Sequence, residues 1–232
     1  MELHILSGGA AQGVVRGLEQ SFFEQTGARL QPTFGAVGMM KEKLLSGAPC
    51  DVLILTQALI DELEKSGRVE AGSAAPLGRV KTGVAVKAGE AQPDVSDAAG
   101  LRAALLAARG IYFPDPQKAT AGIHFINVVK KLGILAEIEA ALRPFPNGAT
   151  AMAQMALADE PGLLGCTQVT EILYTQGVTL VAPLPVEFEL ATMYTAALSS
   201  CAEQPELARR LVASLSGEAS KALREQGGFE LT

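Results

Sequence analysis

The chain has 232 residues, 48% of them hydrophobic and 19% charged, which allows one large domain or two small ones with a real core. The net charge of −6 argues against nucleic acid, whose phosphates are met by clustered Lys and Arg, and no apolar run approaches the roughly 18 residues of a membrane span. Trp is absent and Tyr is scarce, which argues against an aromatic-lined pocket for a sugar or flat ring; a small anion stays open, since a local site can oppose the global sign.

In chain order, Leu3 to Leu6 predicts a strand that runs into Ser7-Gly8-Gly9-Ala10-Ala11 and then a helix over about 10–26. That helix carries Val14, Leu18, Phe22 and Phe23 at helical spacing and stops at Gly27. The same grammar recurs: a strand near 29–34, the turn Gly35-Ala36-Val37-Gly38, and a helix near 37–46. A third strand near 51–55 is apolar from Val52 to Leu55 without alternation, as in a parallel strand covered on both faces, and a helix near 57–66 follows. This alternation predicts an open parallel sheet with right-handed crossovers.

The Gly/Ala/Ser/Pro stretch over 71–78 predicts a connection, and the charged, alternating run from Arg79 to Val86 a strand that crosses into a second lobe. There the pattern predicts a helix near 97–109, a strand over 110–113, a turn from Pro114 to Ala119 and a helix from Thr120 to about Leu132. Shorter helices are predicted near 134–142, 149–157 and 167–175, with the apolar segment 162–166 between the last two and a strand over 178–182 after them. A long strand over 188–199 returns the chain to the first lobe, where helices over about 203–214 and 217–226 pack. The fold class is α/β with two lobes, 1–80 plus 198–232 and 81–197, mainly parallel-type sheets flanked by helices, and a ligand cleft between the lobes.

Three strand-to-helix turns carry the chemistry: Ser7–Ala11, Thr33–Gly38 and Lys118–His124. Unpaired N–H groups and the positive end of the helix dipole make such turns anion sites, and ligands of open α/β sheets bind at the carboxyl ends of strands. The ligand-binding set read from the turns is Ser7, Gly8, Gly9, Ala36, Val37, Thr120 and Ala121, with Thr120 as the N-cap of its helix. None of the turns is a nucleotide fingerprint: GxGxxG spacing and GxxxxGK[ST] are both missing.

Arg79 stands where the lobes join and would hold a carboxylate bidentately; Tyr112 and Tyr194 are weaker candidates, with cleft wall or core as their plainer reading. The plainer reading of Lys41, Lys81 and Lys118 is solvated surface charge. His124 lies in the third turn, where a helix N-terminus disfavours its protonated form and would leave a neutral imidazole as a general base; its plainer reading is structural. Cys50, Cys166 and Cys201 are read as free buried thiols, and with two His and no CxxC no metal or cofactor is expected. No leader is recognisable after Met1, so the sequence as it stands reads as cytoplasmic, or as periplasmic if a signal peptide was removed.

The order strand, small-residue turn, helix, strand, Phe34-Gly35-Ala36-Val37-Gly38, helix, then Ser46-Gly47-Ala48-Pro49-Cys50-Asp51-Val52 resembles the molybdate-binding members of the type II periplasmic solute-binding proteins. Ala121-Gly122-Ile123 and Gly228-Phe229 extend the resemblance over nearly the whole chain. The resemblance implies a Venus-flytrap fold that holds an oxyanion or small carboxylate between lobes. It also implies service to an ABC-type transporter permease or a related sensor, without nucleic acid or membrane insertion, as a monomer. The second turn offers Gly35-Ala36-Val37 where that pattern has serine, and Gly165-Cys166-Thr167-Gln168 stands for its apolar-Tyr-Gly-Ser run, which points away from molybdate itself. Some aconitate isomerases resemble the same family. The alternative is therefore a cofactor-independent isomerase of an unsaturated tricarboxylate, with His124 as the base and Arg79 and the helix N-termini stabilising developing charge.

Overall fold

The computed structural model describes residues 1–231. The chain divides into two compact units: Met1–Val80 with the segment from Thr192 onward, and Lys81–Ala191.

In the first unit, β1 (Glu2–Gly8) lies between β2 (Arg29–Gly35) and β3 (Val52–Thr56), parallel to both, and β9 (Ala191–Leu198) joins β3 antiparallel. The helices α1 (Gln12–Thr26), α2 (Val37–Leu45) and α3 (Gln57–Lys65) each follow one of these parallel strands. A short 3-10 turn at Gly9–Ala11 precedes α1, and Gly27, at φ +70°, ends α1 in the left-handed conformation that a side chain disfavours. The uniform burial of β3 fits its unbroken apolar run. The core joins Leu3, Ile5 and Val52–Leu55 to Val14, Leu18 and Met40, and to Leu211 and Leu215 of α9 (Pro205–Ser216). Pro205 opens α9 at a position where its missing N–H has no intrahelical partner to lose. The last helix, α10 (Lys221–Gln226), follows a 3-10 turn.

In the second unit, β4 (Ala75–Lys87), which enters from the first, pairs antiparallel with β7 (Leu163–Gln168) and β8 (Val178–Pro183). On the other side of β7 come β5 (Gly110–Pro114) and β6 (Leu142–Phe145), both parallel. Strand parity separates two faces. Val84, Val86, Ile111, Phe113, Leu164 and Cys166 pack with α4 (Ala98–Ala107) and α5 (Thr120–Lys131). Ala85, Tyr112 and Leu163 pack with α7 (Gly148–Leu157) and α8 (Val169–Tyr174).

Four expectations change. The stretch predicted as a connection over 71–78 is already strand from Ala75, because Leu77 is apolar enough to be buried in the first core. The helix predicted near 134–142 is α6 (Leu135–Ile138) and a 3-10 turn, followed by β6, a short edge strand too brief to show a period. The segment 162–166 is the start of β7, which runs on to Gln168 at the expense of the following helix. The long strand expected from residue 188 begins at Ala191, after a 3-10 turn at Val186–Phe188.

Candidate functional site

The first unit brings Gly8, Val37 and Tyr194 together. A Cβ on Gly8 would stand 2.8 Å from Val37 Cγ1 and 3.2 Å from the Tyr194 ring, so glycine at this strand end lets the turn after β1 approach the start of α2. Ala36 is the buried N-cap of α2, in extended conformation, with no side-chain cap. Gly9 opens the buried 3-10 turn. Ser7 is fully buried, and its hydroxyl donates to the Gly8 carbonyl at 2.9 Å, so serving a ligand would require that proton to turn away. The Arg79 side chain is exposed, and its backbone exchanges two 2.8 Å hydrogen bonds with Glu230. Lys41 is ion-paired to Glu62 at 2.6 Å.

In the second unit, α5 starts beyond the carboxyl end of β5. Its N-cap is Ala119, not Thr120: Thr120 is the first helical residue, because the turn from Pro114 leaves the extended conformation one position earlier. Ala121 is buried, and Gly122 has no room for a side chain, since a Cβ would lie 2.2 Å from the Pro114 carbonyl and 2.3 Å from that of Asp115. The helix start is thereby pressed onto the strand end. The Asp115 carboxylate accepts the N–H groups of Gln117 and Lys118 at 2.7 and 3.0 Å and shapes the turn. His124, one turn on, is tied down: Nε2 lies 2.7 Å from the Phe188 carbonyl, which can only accept, so Nε2 carries the proton and Nδ1 the lone pair when the ring is neutral. Tyr112 is buried, accepts from Arg143 at 2.8 Å and stacks on Phe145. Lys81 pairs with Glu189 at 2.9 Å.

The N-termini differ in how they are closed. Side chains cap α4 (Asp97 to the Gly100 N–H) and α7 (Asn147 to the Thr150 N–H), whereas α2 and α5, like α3 and α9, have no side-chain cap. The start of α7 is further occupied by Glu171, 5% exposed. Its carboxylate accepts the Thr167 hydroxyl at 2.5 Å and the N–H groups of Gln168, Ala149 and Gly148. Burial pushes its pKa up against those bonds, which favour the charged form.

Residue reasoning missed this polar group at the carboxyl end of β7: Thr167, Gln168, Thr170 and Glu171, with Thr82 opposite Gln168 on β4. The signal was the polar run Thr167-Gln168-Val169-Thr170-Glu171 immediately after an apolar strand. The cysteines also need correcting. Cys50 and Cys166 are buried thiols, the first pushed up to about 12 and the second higher still, both by desolvation, but Cys201 lies exposed in the turn after β9. Among the described residues no cluster of potential ligands could hold a metal, and no helix is long and apolar enough to cross a membrane.

An aconitate isomerase from Pseudomonas sp is 26% identical over 97% of this chain and 86% of its own length. The Azotobacter vinelandii periplasmic molybdate-binding protein superposes with a TM-score of 0.80 at 21% identity over 99% of both chains. The sulfate-binding protein SubI from Mycobacterium tuberculosis H37Rv superposes with 0.75 at 14% identity, over 100% of this chain and 87% of its own. At such identities the structures establish the α/β fold of the periplasmic binding proteins. The sequence profile of the bacterial extracellular solute-binding proteins matches residues 3–230, and the chain belongs to that family.

Proposed function

We propose that the protein binds a small anionic solute, an oxyanion or a di- or tricarboxylate, outside the cytoplasm and hands it to an ABC-type permease or a related sensor. The observation that carries this reading is the state of α2 and α5. Both begin at the carboxyl ends of parallel strands, behind small buried N-caps, Ala36 and Ala119, whose side chains make no cap hydrogen bond to the first turn. Helix N-termini of this kind hold anions through backbone N–H groups and the helix dipole. Gly8, Gly9, Ser7, Val37 and Tyr194 in the first unit and Thr120 and Ala121 in the second are the proposed contacts, with Arg79 as the added cation for a carboxylate. The molybdate and sulfate binders of the same fold support the ligand class; the lack of a serine in Gly35-Ala36-Val37 favours a carboxylate over molybdate.

The test is a thermal-shift panel of molybdate, tungstate, sulfate, citrate and the aconitates on the purified chain. Stabilisation by at least one of these anions is expected, and no shift with any of them would refute anion binding. Stabilisation by the tetrahedral oxyanions alone would refute the carboxylate preference.

The 26% identical aconitate isomerase supports a second reading, an isomerase of an unsaturated tricarboxylate. There His124 Nδ1 would take a proton beside the double bond, the bond would shift, and the proton would return at the far carbon, the helix N-termini stabilising the charge in between. An absorbance assay for interconversion of trans- and cis-aconitate tests it; binding without turnover would leave the protein a carrier.

A further inference from the structure

Two threonine hydroxyls of the second unit, Thr82 Oγ1 and Thr170 Oγ1, are buried with no hydrogen-bond partner among the described residues, in residues that are 1% and 5% exposed. Thr82 needs the stronger explanation, because its main chain is fully engaged. Its N–H donates to the Leu190 carbonyl at 3.2 Å, and its carbonyl accepts the Leu184 N–H at 2.9 Å. Both bonds run to the 184–190 segment that follows β8, and the hydroxyl is left over. An unpaired buried hydroxyl destabilises a fold, and valine would fill the same space without that penalty.

Strand register says where this hydroxyl belongs. Thr82 is paired with Gln168, the last residue of β7, so it lies at the carboxyl edge of the parallel strands β5 and β7. Side chains alternate along β4, so Thr82 shares its face with Val84 and Val86, which pack in one core with Phe125 and Val128 of α5. Thr82 therefore shares both the edge and the face from which α5, whose N-cap Ala119 makes no side-chain cap bond, begins.

We infer that Thr82 is a specificity-determining residue whose hydroxyl hydrogen-bonds an oxygen of the anion held at the first turn of α5. The inference rests on the anion-binding reading and adds to it a side-chain donor in a half-site otherwise made of backbone N–H groups. A hydroxyl that donates to a charged oxygen strengthens binding by about tenfold or more, while its unpaired state lowers the stability of the free protein.

The experiment compares wild type, Thr82→Val and Thr82→Ser by thermal unfolding and by calorimetric titration with the anion that stabilises the wild type best. Thr82→Val should keep or raise the melting temperature of the free protein and weaken the anion about tenfold or more, and Thr82→Ser should bind within threefold of wild type. Binding by Thr82→Val within threefold of wild type overturns the inference, whatever its stability. Should Thr82→Val fail to fold, Thr82→Ala set against Thr82→Ser makes the same comparison, with the same threshold. If no anion stabilises the wild type, the anion-binding reading itself fails and takes this inference with it, an outcome distinct from a wild type that binds and a valine variant that binds equally.

Discussion

Gly148 and Glu171 are fitted to each other: a Cβ on Gly148 would stand 1.9 Å from Glu171 Oε2 and equally close to Thr167 Oγ1. The first residue of α7 is glycine because the chain's own carboxylate fills the space over that helix start. This helix start is already filled by a carboxyl group of the chain, whereas the N-cap residues of α2 and α5 make no side-chain cap bond. Gly148→Ala should therefore expel the carboxylate and lower stability by about 3 kcal/mol or more, read by urea denaturation.

The same carboxyl has a pH signature. Its pKa is raised by desolvation, so the folded protein holds the proton more tightly than the unfolded chain does. The stability it contributes is full below the ordinary glutamate range, about pH 4 to 5, and is lost as pH rises through its raised value. Glu171→Gln should flatten that fall in melting temperature with rising pH. A variant that keeps the wild-type slope would assign the slope to other groups.

Gly8 and Gly122 both stand at candidate ligand turns but resist substitution differently. Alanine at 8 meets the side chains of Val37 and Tyr194, whereas alanine at 122 meets two backbone carbonyls that cannot yield. Gly8→Ala should lower stability by about 1 kcal/mol and weaken anion binding; Gly122→Ala should lower it by about 3 kcal/mol or more. Chemical denaturation of the two variants side by side checks the order.

Arg224 is 6% exposed and donates to the carbonyls of Leu77 at 2.6 Å, Ser216 at 2.8 Å and Gly217 at 2.9 Å, which ties α10 to the end of α9 and to β4. Arg224→Met leaves those acceptors without their donor and should cost about 3 kcal/mol or more. Arg224→Lys should rescue little, because a single ammonium cannot reproduce the planar fork.

Arg79 offers a clean test of the carboxylate preference because its side chain is exposed. Arg79→Ala should change stability by less than about 0.5 kcal/mol while weakening di- and tricarboxylates about tenfold. Equal carboxylate affinity in the variant would remove Arg79 from the site.

Of the three thiols, Cys201 alone should react with a maleimide in the native protein. Mass spectrometry should find one adduct before denaturation and three after it, since burial keeps Cys50 and Cys166 protonated and out of reach.

The amino-acid pattern alone determined the α/β class and the places where helices begin after strands. Apolar period and small-residue turns are local signals: Val52–Leu55 is a strand because an unbroken apolar run must be covered on both faces, and Leu3–Leu6 and Gly110–Phe113 are short apolar segments that lead into turns. Tertiary structure decided what local signals do not encode. Thr120 yields the cap to Ala119 because the strand end and Gly122 set the helix start. His124 is committed to the Phe188 carbonyl, 64 residues away in sequence. Thr82 comes to lie at the edge where α5 begins only through the pairing of β4 with β7. Such roles depend on which distant backbone groups arrive nearby and which remain unpaired, and only the assembled sheet determines that.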